Sequence, residues 1–112
     1  MNISKFTQKS VQAVQDLEKV AYEYGNQEIE QEHLLYTLLT QEDSLILKLI
    51  EKMEINKDYF IDTVKKALDA KVKVSGGELR FGQYLNKALV NAEDEAKAMG
   101  DEYVSVEHLF LA

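Results

Sequence analysis

Two stretches of this chain read as copies of one another: FTQKSVQAVQDLEKVAYEYGNQEIEQEHLLYT, residues 6–37, and FGQYLNKALVNAEDEAKAMGDEYVSVEHLFLA, residues 81–112. They align without a gap at an offset of 75 places, with nine identities in 32 positions. The matches include Phe6 with Phe81, Ala13 with Ala88, Ala21 with Ala96, Gly25 with Gly100, and Glu32-His33-Leu34 with Glu107-His108-Leu109. Other pairs keep their character, as Ile29 with Val104 and Leu35 with Phe110 do. An internal repeat decides architecture before any local reading does.

The apolar stripes repeat too. Val14, Leu17, Ala21 and Tyr24 step by three, four and three, which places them on one face of an α-helix. Leu89, Ala92, Ala96 and Met99 take the same steps in the second copy. Thr7 stands where an N-cap starts the first helix, and Gly25 and Gly100 where a left-handed cap ends each long one. A short connection with one inward β-branched residue, Ile29 or Val104, leads to a second helix beginning near Glu30 or Ser105. Glu32 and Glu107 lie in the first turn of that helix, where its dipole favours an acid.

The first copy continues through two more helices. Leu45, Ile46, Leu49, Ile50 and Met53 form a wide apolar face behind the capping pair Asp43-Ser44. Asn56 caps the next helix, which buries Phe60, Ile61, Val64 and Leu68. Residues 71–80, with Gly76-Gly77 as a hinge, link the copies. The fold expected is all-α: two pseudo-two-fold-related helical repeats in one domain over residues 1–112. Repeat one spans 1–70, and a truncated repeat two spans 81–112. By analogy with residues 38–70, about 33 residues of the second copy are expected beyond Ala112. That truncation would leave Leu109, Phe110 and Leu111 partly uncovered.

Composition narrows the function. The chain has 13 Lys and Arg against 20 Asp and Glu, a net charge of −7, so a nucleic-acid or anionic-membrane partner is not expected. With 46% hydrophobic and 29% charged residues it is globular in composition rather than disordered. There is no Cys, which excludes disulfides, thiolate zinc sites and thiol nucleophiles, and no Pro. The start MNISKF lacks the apolar stretch of a signal peptide, and no run is long enough to span a membrane. A cytoplasmic location is the expectation.

Catalytic motifs are missing. No Gly-Lys pair exists from which to build a phosphate-binding loop, and neither a GxSxG nor an HExxH word occurs. Glu32-His33 and Glu107-His108 invite a metal or acid–base reading, yet their equivalent repeat positions favour a structural role. Tyr22, Tyr24 and Tyr36 read as core and boundary residues, and Glu93-Asp94-Glu95 as a solvated face. No catalytic residue and no metal ligand is assigned. What remains is a binding module, with a groove where the two copies meet.

The residues of the repeat also carry a family resemblance. The EHLL word at Glu32, His33, Leu34 and Leu35, following Ile29-Glu30, resembles the Clp N-terminal repeat domain, and the likeness covers essentially the whole chain. The DSLILKLIEK stretch (residues 43–52) and VSGG (residues 74–77) resemble the ClpB-type, Hsp100 disaggregase branch more than the ClpC or ClpA branches. The resemblance implies a domain tethered to a homohexameric AAA+ ring that hydrolyses ATP with Mg²⁺ outside this chain, which itself needs no cofactor. It implies unfolded or aggregated polypeptides as clients and the DnaK chaperone system as partner.

Carried over position by position, the substrate-handling residues are Thr7, Asp101 and Glu107, with Leu89, Leu109 and Phe110 lining an apolar groove. Each polar position also has a structural use: cap, turn and first-turn acid. A ClpC-like alternative would read phosphoarginine through Glu32 and Glu107, and a small enzyme built on the two Glu-His pairs is the rival from another class. Two departures from the pattern stand out. Met53-Glu54 replaces a glycine after the third helix, which argues against a tight cap there. Lys71-Val72-Lys73-Val74 lacks proline, so the linker is expected to be looser or to lengthen the preceding helix.

Overall fold

The copies hold each other by exchanging their edges. In a computed structural model that describes residues 3–74 and 78–112, Phe6 pairs in parallel with Val104, and Ile29 with Phe81. These are the same two contacts seen from either copy, because the repeat offset carries Phe6 onto Phe81 and Ile29 onto Val104. The amide of Thr7 donates to Val104 O at 2.9 Å, and that of its counterpart Gly82 donates to Ile29 O at 2.7 Å. Arg80 N–H donates to Gln27 O at 3.0 Å, and Val104 N–H to Lys5 O at 2.7 Å.

Helices surround this seam. After a 3-10 turn (Ile3–Lys5), the first copy runs through α1 (Gln8–Glu23), strand β1 (Glu28–Ile29), α2 (Gln31–Thr40), α3 (Leu45–Lys52) and α4 (Lys57–Asp69). The second begins with β2 (Arg80–Phe81) and continues through α5 (Gln83–Ala98) and α6 (Val106–Leu111). The expected all-α fold is what forms, with β1 and β2 only two residues each. Helix α1 packs on α2 as α5 packs on α6, and across the dyad α1 meets α6 as α5 meets α2. Leu17, Leu38, Leu85, Leu89 and the β-branched pair Ile29 and Val104 are buried in one core common to both copies.

The caps follow the sequence closely. Thr7 Oγ1 accepts from Ser10 N–H, Ser44 Oγ from Leu47 N–H, and Asn56 Oδ1 from Tyr59 N–H. Gly25 and Gly100 take φ of 69° and 74°, and each, with the residue after it, closes a pair of hydrogen bonds back into its helix. In the first copy Gly25 N–H reaches Tyr22 O and Asn26 N–H reaches Ala21 O; Gly100 and Asp101 repeat this on Lys97 and Ala96.

Several expectations fall. The α3 face is narrower than its sequence: Ile46 and Ile50 are buried, whereas Leu45 is 42% and Met53 62% exposed. They occupy the first position and the cap, where the helix turns away from the core. Met99 and Tyr22 also lie on the surface, Tyr22 at 80% exposure, while Tyr24 and Tyr36 meet edge to face at 5.7 Å. Leu109, expected to be partly uncovered, is 2% exposed, because α6 turns it into the common core; Leu111 alone of the three is largely exposed.

The linker departs from expectation as well. Helix α4 stops at Asp69 and does not extend, and residues 71–74 are tied down rather than loose. Asn26 Nδ2 donates to Val72 O, Val74 N–H to Gly25 O at 2.8 Å, and Lys73 Nζ to Tyr24 O. The Gly76-Gly77 hinge lies outside the described residues.

The missing glycine after α3 did not abolish the cap. Glu54 takes φ of 61°, donates from N–H to Glu51 O at 3.0 Å, and lets Ile55 N–H reach Ile50 O. A side chain in the left-handed region costs about 1–2 kcal/mol, part of which glycine gives back as chain entropy in the unfolded state. Glu54→Gly is therefore expected to stabilise the domain by about 0.5–1 kcal/mol in urea unfolding. A loss of stability would show that the Glu54 side chain supports the turn.

Candidate functional site

Each second helix is started by a histidine. His33 Nδ1 accepts from Glu30 N–H at 2.9 Å, and His108 Nδ1 from Ser105 N–H at 2.9 Å. An accepting Nδ1 places the proton on Nε2, which in His33 donates to Asn26 Oδ1 at 3.0 Å and in His108 to Asp101 Oδ2 at 2.9 Å. Asn26 and Asp101 are the residues just after the left-handed glycines. Each histidine thus fastens the start of one helix to the end of the one before it. Both rings are buried, and this accounts for their equivalent positions. Among the described residues, no group of three or more His, Asp or Glu comes together in a way that holds a metal ion.

Two hollows flank α6. The first, with a volume of about 250 Å³, has a floor of Leu34, Leu35 and Leu38 from α2, Ala88 from α5 and Leu109 and Phe110 from α6, with Gln31 and Glu32 at its rim. The second, of about 440 Å³, gathers Thr7 and Lys9 at the start of α1, Asp43 from the α2–α3 turn, Leu45 at the start of α3, and Ser105 and Glu107 at the start of α6. Of the substrate-handling candidates, Leu109 and Phe110 therefore line the first hollow, the apolar cleft, and Thr7 and Glu107 line the second.

Leu89 lines neither hollow. It is 1% exposed, on the core side of α5, and its neighbour Ala88 reaches the cleft instead. Asp101 lies away from both, engaged with His108. Glu107 Oε2 accepts from Ser105 Oγ at 3.1 Å, and Thr7 Oγ1 is bonded to Ser10.

Glu32 has a different environment from Glu107. Lys71 Nζ lies 2.9 Å from its carboxylate and 2.5 Å from that of Glu30. Burial pushes the Glu32 carboxyl up, but the hydrogen bond and charge of Lys71 outweigh it and hold the group below the ordinary carboxylate value. Lys71 is raised for the same reason, against its own burial. Lys71, Leu34 and Leu38 also belong to this site or border it, though they were not among the candidate site residues. Leu34 lies in the repeated EHLL word and Leu38 one turn further along α2, a stripe legible in the sequence; a contact between Lys71 and Glu32 leaves no local signal.

Residues 5–112 match the family model described as the Clp repeat (R) N-terminal domain. The chain belongs to that family. Curated Clp relatives include the chaperone protein ClpB of Nitratidesulfovibrio vulgaris, 38% identical over 115 residues, covering 98% of this chain and 13% of the relative. ClpB of Porphyromonas gingivalis is 40% identical over 112 residues, covering all of this chain and 13% of its own. The chain thus spans about 13% of the length of these relatives. Among solved structures, the Hsp104 N-terminal domain from Candida albicans superposes with a TM-score of 0.85 at 17% identity, covering 96% of this chain and 71% of that one. The Clp N-terminal fold is therefore shared even where the sequence has diverged. Among the described residues no helix is long and apolar enough to cross a membrane.

His33 makes the site pH-sensitive. Burial, then the charge of Lys71, lowers its folded value below the ordinary 6.5. A histidine with a depressed folded value contributes stability that is fully present above 6.5 and lost as pH falls through the folded value. Unfolding followed across that range should show stability dropping on acidification, and His33→Gln should flatten that part of the profile. An identical profile in the variant would remove His33 as the cause.

Proposed function

We propose that this chain is the client-binding N-terminal domain of a ClpB-type disaggregase. It captures exposed apolar segments of misfolded or aggregated polypeptides and passes them to a AAA+ ring. The observation that carries this reading is the apolar cleft of Leu34, Leu35, Leu38, Leu109 and Phe110, built by helices of both copies. The ClpB names of the relatives support it. In this reading the ring is a homohexamer elsewhere in a longer protein, it uses ATP and Mg²⁺, and it works with the DnaK system in the cytoplasm. The domain itself contributes recognition and no chemistry.

Weak binding suits the task. Covering one or two hundred square ångströms of apolar surface yields a few kcal/mol at about 25 cal/mol per Å², and association consumes much of it. Affinity in the micromolar range or weaker is expected, and a ring of tethered copies would raise it by avidity. The ClpC-like reading needs Glu32 and Glu107 open to a phosphoarginine, and Lys71 already occupies Glu32.

Titration with a permanently unfolded, apolar polypeptide tests the assignment. Saturable binding is expected, and Leu35→Ser should weaken it roughly five- to tenfold, the equivalent of about 1–1.4 kcal/mol of lost apolar contact. No binding, or binding indifferent to Leu35 and Phe110 together, would overturn the cleft. Saturable binding of a phosphoarginine peptide, lost in Glu32→Ala, would favour the ClpC-like reading.

A further inference from the structure

Among the described residues that line the apolar cleft, Glu32 has the one ionisable side chain, and it is already held; Ala112, the last residue, lines the cleft as well. Glu32 sits at the rim beside Gln31, above a floor of Leu34, Leu35, Leu38 and Phe110. Its partner Lys71 comes from the linker, 39 residues further along the chain, and takes Glu30 in the same grip. Lys71 is only 20% exposed, against 42% for Glu32, so the contact is better shielded from solvent than an ordinary surface pair.

The grip is not made by Lys71 alone. The backbone on either side of it is fixed: Lys71 N–H donates to Leu68 O at 3.2 Å, and Val72 O accepts from Asn26 Nδ2 at 3.1 Å. Asn26 in turn holds His33, whose backbone begins the helix that carries the cleft floor. The ammonium is therefore delivered to Glu32, from the hollow next to the cleft, by a segment stapled to the first copy.

Electrostatics gives this placement a consequence. With Lys71 present, the Glu30–Glu32–Lys71 group carries a net charge of −1; without it, Glu32 would stand unpaired at the edge of the cleft, with Glu30 beside it in the neighbouring hollow, and the group would carry −2. A charge on a client residue flanking the buried apolar segment would lie within the screening length of about 8 Å at physiological salt, so it senses the rim. Charges farther out on this acidic domain are largely screened.

We propose that Lys71 sets the charge selectivity of the cleft: by holding Glu32 it lets apolar segments enter with little regard to the sign of their flanking residues. This rests on the cleft being the client site. Specificity here comes from removing a repulsive element, since an unpaired Glu32 would discriminate against acidic flanks without changing any apolar contact. Lys71 is thus a positioning residue for the rim acid and touches no buried part of the client.

Two synthetic peptides with the same apolar centre, one flanked by lysines and one by glutamates, test this by calorimetric titration of the 112-residue chain. Wild type should bind the two within about threefold of each other. Lys71→Met should widen the ratio to about fivefold or more beyond wild type in favour of the lysine-flanked peptide, by the loss of one nearby positive charge. High salt should collapse the difference. Lys71→Met combined with Glu32→Gln should bring the ratio back to the wild-type value. That restoration separates the rim charge from a general loosening of the fold.

An unchanged ratio in Lys71→Met, or a widened ratio that Glu32→Gln fails to reverse, would overturn the role of Lys71 while leaving the cleft standing. Failure of both peptides to bind wild type would bring down the cleft reading and this inference with it.

Discussion

Everything in this domain hangs from the crossed pairing of its edges. Each copy lends its leading extended residue, Phe6 or Phe81, to the β-branched residue of the other, Val104 or Ile29. Four residues make two short parallel contacts, too few to stabilise a sheet by themselves. Their weight comes from where they lie. Ile29 and Val104 are buried, and the amides of Thr7 and Gly82 that close the pairing are also the entries to α1 and α5. The same bonds that join the copies set the direction of the two longest helices.

From this seam the structure builds outward by a single device used twice. A left-handed glycine ends the long helix, the next residue offers a side-chain oxygen, and a buried histidine joins that oxygen to the start of the second helix. The device leaves no polar atom of the ring unpaired, which is the condition for burying it. The two versions differ in one partner, Asn26 against Asp101. Asn26 has an amide as well, and spends it on Val72 of the linker, so only the first copy couples its histidine to the strap that carries Lys71.

Most of the scaffold was legible because it is local. Thr7, Ser44 and Asn56 cap helices from three residues away, and Gly25 and Gly100 end them within one turn, so the spelling of the sequence contains the geometry. The offset of 75 residues supplied the dyad, which no local rule would give. What failed was the outside of the fold. Leu45, Met53 and Met99 fit their stripes, but helix ends face solvent whatever the period says. Leu89 shows the opposite error: a residue on the right helix, adjacent to the cleft through Ala88, yet turned into the core. The rim contact of Lys71 with Glu32 joins side chains from different elements and follows from the path of the linker, which charge patterning cannot reveal.

In this Clp N-terminal domain the two histidines hold the starts of α2 and α6 in place, and Glu30 and Glu32 hold the linker through Lys71. An apolar cleft formed by both copies needs both copies to stay docked. Amide hydrogen exchange on the native domain measures that docking directly. The amides of Thr7, Arg80, Gly82 and Val104 should exchange only through global unfolding, with one common protection. Fast exchange of these four through local opening, while the centres of α1 and α5 remain protected, would show that the copies separate without unfolding and would contradict the crossed seam as the constraint on which the fold depends.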